Sequence, residues 1–196
     1  MLTSTRDLMS GHKNDTCPFW VGYLLINPMR NLYQNPKRIL EPYIREGMTV
    51  LDYGCAMGFF SLPMARMVGP GGKVIAVDIQ EKMLRTLVKR AKKAGLANRI
   101  ETHLAVPGTI GLEGYQEKID FILALAVVHE VPDPVHTFTE FHSLLKARGK
   151  LLLAEPKGHV TRENFEATLA MAEKSGFTLE SQPKIFRSRT ALMRKS

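Results

Sequence analysis

Hydrophobic and polar positions follow two patterns along this chain, and after the first third the patterns alternate. Short apolar runs rich in β-branched residues predict strands near 48–53, 73–78, 99–104, 119–125 and 149–154. Apolar residues at helical spacing predict helices near 37–44, 58–69, 80–94, 133–147 and 161–175. Glycine and proline clusters bound these segments, with Gly149 expected to end the helix over 133–147. Residues 105–118 show little periodicity and are predicted to be loop.

Strands that alternate with helices are typical of a parallel sheet covered by helices on both faces. The pattern changes near the end, where 177–181 and 184–193 are separated only by a turn containing Pro183. Such a short connection predicts two antiparallel neighbours. We therefore expect an α/β fold with a doubly wound, Rossmann-like sheet of seven strands, mostly parallel, with the last strand antiparallel.

The chain divides into two parts, a domain over 36–196 and an N-terminal extension over 1–35. The extension contains an apolar stretch, 17–26, with the only tryptophan, Trp20. Two interpretations stay open: a helix that covers one edge of the sheet, or a lid with aromatic walls over the site. His12 and Cys17 are too few to form a metal site, so no metal is expected.

Composition is that of one ordinary folded domain, with 196 residues, 44% hydrophobic and 23% charged. The two cysteines, Cys17 and Cys55, are far apart in the sequence, and no disulfide is expected. The first sixteen residues lack the apolar core of a secretion signal, and no run approaches the ~18 apolar residues of a membrane span. We expect a cytoplasmic protein.

The formal net charge of +8 favours an anionic partner such as RNA, a lipid surface or an acidic small molecule. Much of the positive charge lies on the predicted helix over 80–94, where basic and apolar residues alternate. This helix is either a solvated amphipathic face or a nucleic-acid site. The first is favoured, because no RNA-binding motif or appended basic domain accompanies it.

The most informative segment, Val50–Gly58, is an apolar strand that runs through Asp52 into a turn bracketed by Gly54 and Gly58. Such a turn exposes backbone amides to a ligand at a helix N-terminus. A dinucleotide is disfavoured, because its pyrophosphate would meet Asp52 and because Ala56 replaces a glycine of the usual motif. A ligand with a cationic amino acid end and an adenosine end fits better, and S-adenosylmethionine is that ligand.

Later segments complete a pattern that begins with this turn. Residues 73–78 form a strand that ends in Asp78, 119–133 form a strand and the loop beyond it, and 144–153 form a helix end and a further strand. In this order they resemble the class I S-adenosylmethionine-dependent methyltransferases, especially the small type 11 group that includes quinone-biosynthesis enzymes. The resemblance covers most of 37–196.

The resemblance implies a set of cofactor-binding residues. Asp52 would hold the amino acid end, directly or through water, and Asp78 would accept hydrogen bonds from both ribose hydroxyls. Where the family commonly places an acid for the adenine amino group this chain has Val106, which implies apolar and backbone contacts instead. The other implied contacts are Gly54, Cys55, Ala56, Gly58, Ile79, Leu125 and Ala126.

Three residues are candidates for chemistry, His129 and Glu130 after the fourth strand and Glu155 after the fifth. A base near the acceptor could take its proton. The alternative is that these side chains only order turns, just as Asp52 and Asp78 could simply cap helices. Phe59, Phe60 and Met64 lie at helical spacing and are expected in the core.

The expected function is methyl transfer from S-adenosylmethionine to a small organic acceptor, with the accepting oxygen, carbon or nitrogen unresolved. Two alternatives stay open: an RNA methyltransferase, motivated by the excess of lysine and arginine, and an S-adenosylmethionine-binding protein without catalysis. The sequence gives no indication of the oligomeric state.

Overall fold

The computed structural model describes residues 30–196. Their strands form one seven-stranded sheet with the order β3-β2-β1-β4-β5-β7-β6. Strands β1 to β5 are parallel to one another, and β7 runs antiparallel to both of its neighbours. The strand bounds are β1 Thr49–Tyr53, β2 Lys73–Asp78, β3 Ile100–Leu104, β4 Ile119–Leu125, β5 Leu145–Pro156, β6 Phe177–Ser181 and β7 Ser188–Lys195. The predicted architecture is confirmed.

Over residues 30–196 six α-helices accompany the sheet, and three of them begin at a side chain that caps the first turn. Asn35, Asp133 and Thr161 each accept a hydrogen bond from a backbone amide three residues later. Proline follows two of these caps, where its fixed φ suits the first helical residue. The helix bounds are α1 Arg30–Tyr33, α2 Pro36–Leu40, α3 Ser61–Met67, α4 Glu81–Lys93, α5 Pro134–Leu144 and α6 Arg162–Lys174.

The sheet separates two hydrophobic clusters, one on each face. Neighbouring residues of β1 point to opposite sides, so Val50 belongs to the cluster with α2, α3 and α4, and Leu51 to the cluster with α5 and α6. Burial on both faces explains why the parallel strands appear as continuous apolar runs. It also holds the strand ends rigidly, which is what positions the site.

Three predicted boundaries are wrong. Helix α5 ends at Leu144, and Gly149 does not end it, because β5 already begins at Leu145 and pairs there with Ile119. A bulge follows, in which Arg148 has a left-handed φ of 64° before pairing resumes at Lys150. The last strand begins at Ser188 rather than at 184, and the predicted helix over 37–44 ends at Leu40.

Helix α4 carries the basic residues noted in the sequence. It buries Met83, Leu84, Leu87 and Ala91 against the sheet. Most of its lysines and arginines are exposed, and Arg90 donates to the carbonyl of Met57. The helix is therefore amphipathic, and the choice between a solvated face and a nucleic-acid site stays a prediction.

The N-terminal stretch over 1–29, with Trp20, Cys17 and His12, lies outside the described residues, so the choice between edge cover and lid stays a prediction. Residues 30–35 of the proposed extension are described, and Tyr33 contacts Phe186 with a ring-centroid distance of 5.7 Å. None of the helices over 30–196 has the length and apolar character that crossing a bilayer requires.

Candidate functional site

The predicted site residues meet at one edge of the sheet, where the parallel strands end. Tyr53 at the end of β1 lies between Val77 of β2 and Ala124 of β4, and Leu125 of β4 is paired with Ala154 of β5. Ligands of open α/β sheets bind at this carboxyl edge. Segments far apart in the sequence thus deliver their loops to one crevice.

The glycine turn after β1 is held against β2. The amides of Gly54 and Cys55 both donate to the carbonyl of Val77 at 2.9 Å. Gly54 and Gly58 have φ values of 73° and 82°, which favour glycine. A Cβ at Gly54 would lie 2.6 Å from Cγ2 of Val127, so a side chain there would collide with the loop after β4. The Cys55 thiol is buried, so this residue offers backbone rather than sulfur to a ligand.

Asp78 connects this turn to the end of β2. Its Oδ2 accepts a hydrogen bond from the amide of Ala56 at 2.9 Å, and its Oδ1 accepts one from the amide of Gln80 at 2.8 Å. Burial raises the pKa of Asp78, and these amides oppose the rise. Each oxygen keeps a further lone pair, which suits a diol. Ala56 has a left-handed φ of 46°, where the resembled family usually has glycine.

Asp52 lies behind the turn and is only 3% exposed. Its Oδ2 accepts a hydrogen bond from the hydroxyl of Ser61 at 2.5 Å. Burial raises the pKa of Asp52, the Ser61 hydrogen bond lowers it and the nearby charge of Asp78 raises it, and together these leave the pKa at about 6. The N-cap position of α3 is Phe60, so Asp52 does not cap that helix. A buried acid that gains from a nearby positive charge is suited to a ligand ammonium group.

Apolar side chains surround Asp78 on its solvent side. Ile79, Leu104 and Val106 leave 47%, 47% and 58% of their surfaces exposed. The loop that carries Val106 starts from a bond between the amide of Ala105 and the carbonyl of Asp78 at 3.1 Å. The three side chains form an exposed apolar patch beside Asp78, and its contact with an adenine stays a prediction.

Glu140 of α5 anchors the far end of that loop, a contact absent from the sequence prediction. Its carboxylate accepts hydrogen bonds from the Thr109 hydroxyl at 2.7 Å and from the amide of Ile110 at 3.0 Å and 3.1 Å. The loop after β3 is thereby tied to the helix after β4.

Leu125 and Ala126 complete the same edge at the end of β4. Leu125 is half-buried, whereas Ala126 is exposed and has a left-handed φ of 57°. The amide of Ala126 donates to the carbonyl of Ala154 at 2.7 Å, which fixes this corner to β5. Both residues therefore lie beside the crevice as predicted, although no contact of theirs identifies a ligand.

His129 and Glu155 form a dyad. His129 lies in a single 3-10 turn after β4, and Glu155 is buried near the end of β5. The distance between His129 Nδ1 and Glu155 Oε2 is 2.5 Å, and Glu155 Oε1 accepts from the amide of Val128 at 2.9 Å. The bond to Glu155 raises the pKa of His129, opposed by partial burial. With Nδ1 donating to Glu155, the lone pair of Nε2 is available as a base.

Glu130, the third candidate, lies beside the dyad and is more exposed. Its Oε1 lies 3.9 Å from His129 Nε2. Burial raises the pKa of Glu130, the charge of His129 lowers it, and the charges of Glu155 and Asp78 raise it. Glu130 therefore lies within electrostatic range of both the dyad and the acid at the end of β2, which connects the two halves of the site.

Of the three apolar residues expected in the core near the start of α3, two are buried there and Phe59 is only partly buried. Phe60 and Met64 are buried in the core. Phe59 is partly exposed, and the Arg30 guanidinium lies 4.3 Å from its ring centroid. The charge of Arg30 also acts on Asp52, so α1 reaches the same end of the crevice.

Two cavities lie on either side of the Tyr33 and Phe186 ring pair. The cavity of about 370 Å³ faces α2 and is lined by none of the predicted site residues. The cavity of about 320 Å³ is lined in part by Pro156 and His159, which follow Glu155. The ring of His159 lies 5.9 Å from that of His129, so the smaller cavity adjoins the dyad.

Sequence reasoning did not find Ser61, Glu140 or His159. Ser61 carried the only available signal, a hydroxyl residue at the start of the helix behind Asp52. Glu140 and His159 act across strand ends that come together only in the folded chain.

Comparison with known proteins shows the family to which this chain belongs. A family model described as a methyltransferase domain matches residues 44–189, most of the chain. A ubiquinone biosynthesis O-methyltransferase of Xanthomonas axonopodis pv. citri is 33% identical over 130 residues, which are 66% of this chain and 49% of that protein. The chain spans about half the length of the curated relatives it matches.

Solved structures share the fold. A SAM-dependent methyltransferase from Aquifex aeolicus superposes with a TM-score of 0.81 at 25% identity, covering 91% of this chain and 98% of that chain. The [4+2]-cyclase SpnF superposes with a TM-score of 0.69 at 14% identity, covering 82% of this chain and 80% of that chain. The second likeness concerns the fold alone.

Proposed function

The chain belongs to the class I S-adenosylmethionine-dependent methyltransferases, and from this premise we propose that it methylates a hydroxyl oxygen of a small organic acceptor, with His129 as the general base. The observation that carries the proposal is the 2.5 Å contact between His129 Nδ1 and Glu155 Oε2 at the carboxyl edge of the sheet. A histidine oriented by a buried carboxylate is a recurring arrangement for taking a proton from a hydroxyl group.

The cofactor site fits S-adenosylmethionine in three respects. Gly54 and Gly58 leave the backbone bare where a side chain would collide with Val127 or Leu87. The buried Asp52 would gain from the ammonium group of the amino acid end, and Asp78 would accept bonds from the ribose hydroxyls. The apolar surfaces beside Asp78 would pack on the adenine.

When bound, S-adenosylmethionine supplies a methyl group on a positively charged sulfur and leaves as S-adenosylhomocysteine after the transfer. The protein then needs to orient the acceptor and remove one proton. His129 Nε2 takes the hydroxyl proton as the oxygen forms its bond to the methyl carbon. The resulting imidazolium is stabilised by Glu155, which is held by the amide of Val128.

Oxygen is preferred over nitrogen because a hydroxyl is a weak nucleophile until a base such as His129 takes its proton, whereas a neutral amine already has a reactive lone pair. Oxygen is preferred over carbon because the curated relative from Xanthomonas is named an O-methyltransferase. No contact among the described site residues supports an RNA methyltransferase or a non-catalytic binding protein. Both alternatives are outcomes of the test.

The test combines cofactor binding with turnover. Titration calorimetry should detect S-adenosylmethionine binding that Asp78→Ala weakens at least tenfold, because the ribose loses its acceptor. Release of S-adenosylhomocysteine should then be measured across hydroxyl, amine and carbon-acid acceptors of matched size. We expect turnover with hydroxyl acceptors, and a loss of about 10²-fold or more in kcat for His129→Asn with unchanged cofactor affinity.

Each failure has its own meaning. Binding without release of S-adenosylhomocysteine from any acceptor would favour a cofactor-binding protein. Turnover of RNA that weakens steeply with salt would favour the nucleic-acid alternative. Full activity of His129→Asn on hydroxyl acceptors would remove the dyad from the mechanism.

A further inference from the structure

We propose that Glu140 is a positioning residue of the cofactor site, which holds the loop over residues 105–110 so that Val106 packs on the adenine of S-adenosylmethionine. This inference rests on the proposed function, in which the adenine lies beside Asp78, and it adds a residue that the ligand does not touch. Glu140 belongs to α5, which follows β4, whereas the loop follows β3. Two strands, β2 and β1, lie between β3 and β4, so the carboxylate joins segments that the sheet keeps apart.

The loop over 105–110 is a short turn that is fixed at both of its ends. The amide of Ala105 donates to the carbonyl of Asp78 at 3.1 Å, which attaches the start of the loop to the end of β2. The amide of Thr109 donates to the carbonyl of Val106 at 3.2 Å and closes the turn. Ile110, at the far end, is only 1% exposed. The exposed part of the turn therefore lies between a start held by the sheet and a buried end.

Glu140 supplies the polar contacts at the buried end. Its Oε1 accepts from the Thr109 hydroxyl at 2.7 Å, and its Oε1 and Oε2 accept from the amide of Ile110 at 3.1 Å and 3.0 Å. The Thr109 hydroxyl oxygen in turn accepts from the amide of Gly111 at 3.2 Å. The Nε2 atom of His136, one turn earlier on α5, lies 3.6 Å from Oε2. Hydrogen bonds to a carboxylate are stronger than those between neutral groups, so this end is firmly held.

The exposed tip of the turn has little to hold it in place by itself. Val106, Pro107 and Gly108 are all exposed. Gly108 has a φ of 95°, and a Cβ built there would meet nothing within 4 Å. The position of the tip therefore depends on the two ends. Of these, the contact with Glu140 can be removed without changing Asp78, the acid expected to bind the ribose.

The exact position of the tip matters because its contact with the base would be apolar. The sequence of residues 105–110 contains no ionisable side chain that could hold an adenine by charge. Val106 instead extends the apolar patch formed with Ile79 and Leu104. Attraction between apolar atoms falls steeply with distance, and a gap of about 0.5–1 Å already loses about a quarter to a half of it. A loop released from Glu140 should therefore bind the base more weakly.

The experiment measures ligand affinity with two probes that differ only in the base. These are S-adenosylhomocysteine, titrated by calorimetry, and S-ribosylhomocysteine, the same molecule without its adenine, measured by displacement. We expect Glu140→Ala to weaken the first probe about tenfold and to leave the second unchanged. Glu140→Gln keeps one oxygen that accepts a hydrogen bond and should lose about threefold. Thr109→Val should behave like Glu140→Gln, whereas Thr109→Ser keeps the hydroxyl and should bind normally.

Two further variants distinguish positioning from a general loss of stability. Asp133→Ala removes the N-cap of the same helix, which accepts from the amide of His136. It should lower the denaturation midpoint and leave the affinity for S-adenosylhomocysteine unchanged. Val106→Ala should weaken this ligand several-fold in the unchanged protein but less than twofold in Glu140→Ala, because both substitutions act on one contact. Independent, multiplying losses would mean that Glu140 does not act through Val106.

The outcomes also separate this role from the proposed reaction. With a hydroxyl acceptor, Glu140→Ala should raise the KM for S-adenosylmethionine about tenfold and change kcat less than twofold. The expected affinity losses in a protein that methylates no acceptor would keep the role of Glu140 and overturn the proposed reaction. Unchanged affinity in Glu140→Ala, or an equal loss for both probes, would overturn the role of Glu140 even if hydroxyl acceptors are methylated.

Discussion

His129 and Glu155 meet at 2.5 Å between Nδ1 and Oε2, although 26 residues separate them in the chain. The contact exists because β4 and β5 are parallel neighbours whose carboxyl ends coincide at Leu125 and Ala154. His129 follows the end of β4 by four positions and Glu155 lies in β5 itself, one residue before its end, so the sheet brings the two side chains together. Because β4 and β5 position His129, we expect this base to move no more than the sheet does.

The pH dependence of methyl transfer should follow His129. Because Glu155 raises the pKa of His129, the neutral base is fully present only above that raised pKa. We expect kcat/KM to rise with pH through it. Glu155→Gln should move the rise to lower pH and reduce the plateau about 10- to 100-fold, because glutamine does not stabilise the imidazolium.

Glu130→Gln is the matched control, since it removes a charge 3.9 Å from the other ring nitrogen. It should move the profile less than Glu155→Gln does. The stability of the fold also depends on the protonation of His129. The protonated form contributes its full stabilisation below the unfolded pKa of about 6.5, and this contribution is lost as pH rises through the folded pKa. A pH profile unmoved by Glu155→Gln would contradict the dyad.

Asp52→Asn should make the protein more stable and weaken cofactor binding. The pKa of Asp52 is raised from 3.8 to about 6, so the folded state loses stability as pH rises between these values. The difference corresponds to about 3 kcal/mol at pH 7, of which asparagine should recover a large part. The amide oxygen can still accept the Ser61 bond. Denaturant unfolding at pH 4 and pH 7 measures the gain, which should be confined to pH 7.

Asp120→Asn is the control for this change, because Asp120 pairs with Lys146 at 2.7 Å and accepts from the amide of Thr49. That substitution should give no gain in stability and leave cofactor affinity unchanged. Asp52→Asn should reduce affinity for S-adenosylmethionine about tenfold or more, since the ligand ammonium loses its counterion. A stabilised variant with full affinity would show that Asp52 does not act on the cofactor.

Three glycine-to-alanine substitutions distinguish the cost of a steric collision from the cost of a strained backbone. Gly54→Ala combines a φ of 73° with a Cβ 2.6 Å from Val127, and should cost about 2–4 kcal/mol and abolish cofactor binding. Gly47→Ala, at φ 81° with open space, should cost about 1–2 kcal/mol and leave binding intact. Gly71→Ala, with neither feature, should be neutral or slightly stabilising. Equal losses at Gly54 and Gly47 in chemical denaturation would rule out the collision with Val127.

The strands and the acids at their ends could be predicted because their signals are local. The runs that contain Asp52 and Asp78 are apolar on both faces, so each acid marks the end of a buried strand. The end of α5 could not be predicted, because Leu145 continues the apolar helix pattern yet pairs with Ile119 in the sheet. Only the tertiary pairing decides between the two structures.

Within the site, separate residues could be predicted but most of their contacts could not. His129 and Glu155 were candidates from their places after two strands, whereas the bond between them depends on the order of strands in the sheet. His159 carries no local pattern. It gains significance only because the loop after β5 lies beside the loop after β4, where its ring centroid is 5.9 Å from that of His129.

Ala56→Gly should relieve strain at the centre of the cofactor turn. Ala56 holds a φ of 46°, which an alanine adopts at a cost of about 1–2 kcal/mol, while glycine adds about 0.4–1 kcal/mol of unfolded-chain entropy. The net expectation is a gain of up to about 1.6 kcal/mol. The hydrogen bond from the Ala56 amide to Asp78 at 2.9 Å does not involve the methyl group, so cofactor affinity should be kept or improved.

Ala170→Gly, on the exposed face of α6, is the control and should instead cost about 1 kcal/mol. Urea unfolding of both variants, with calorimetric titration of the cofactor, measures the contrast. Equal destabilisation by the two glycines would mean that the turn is unstrained at Ala56.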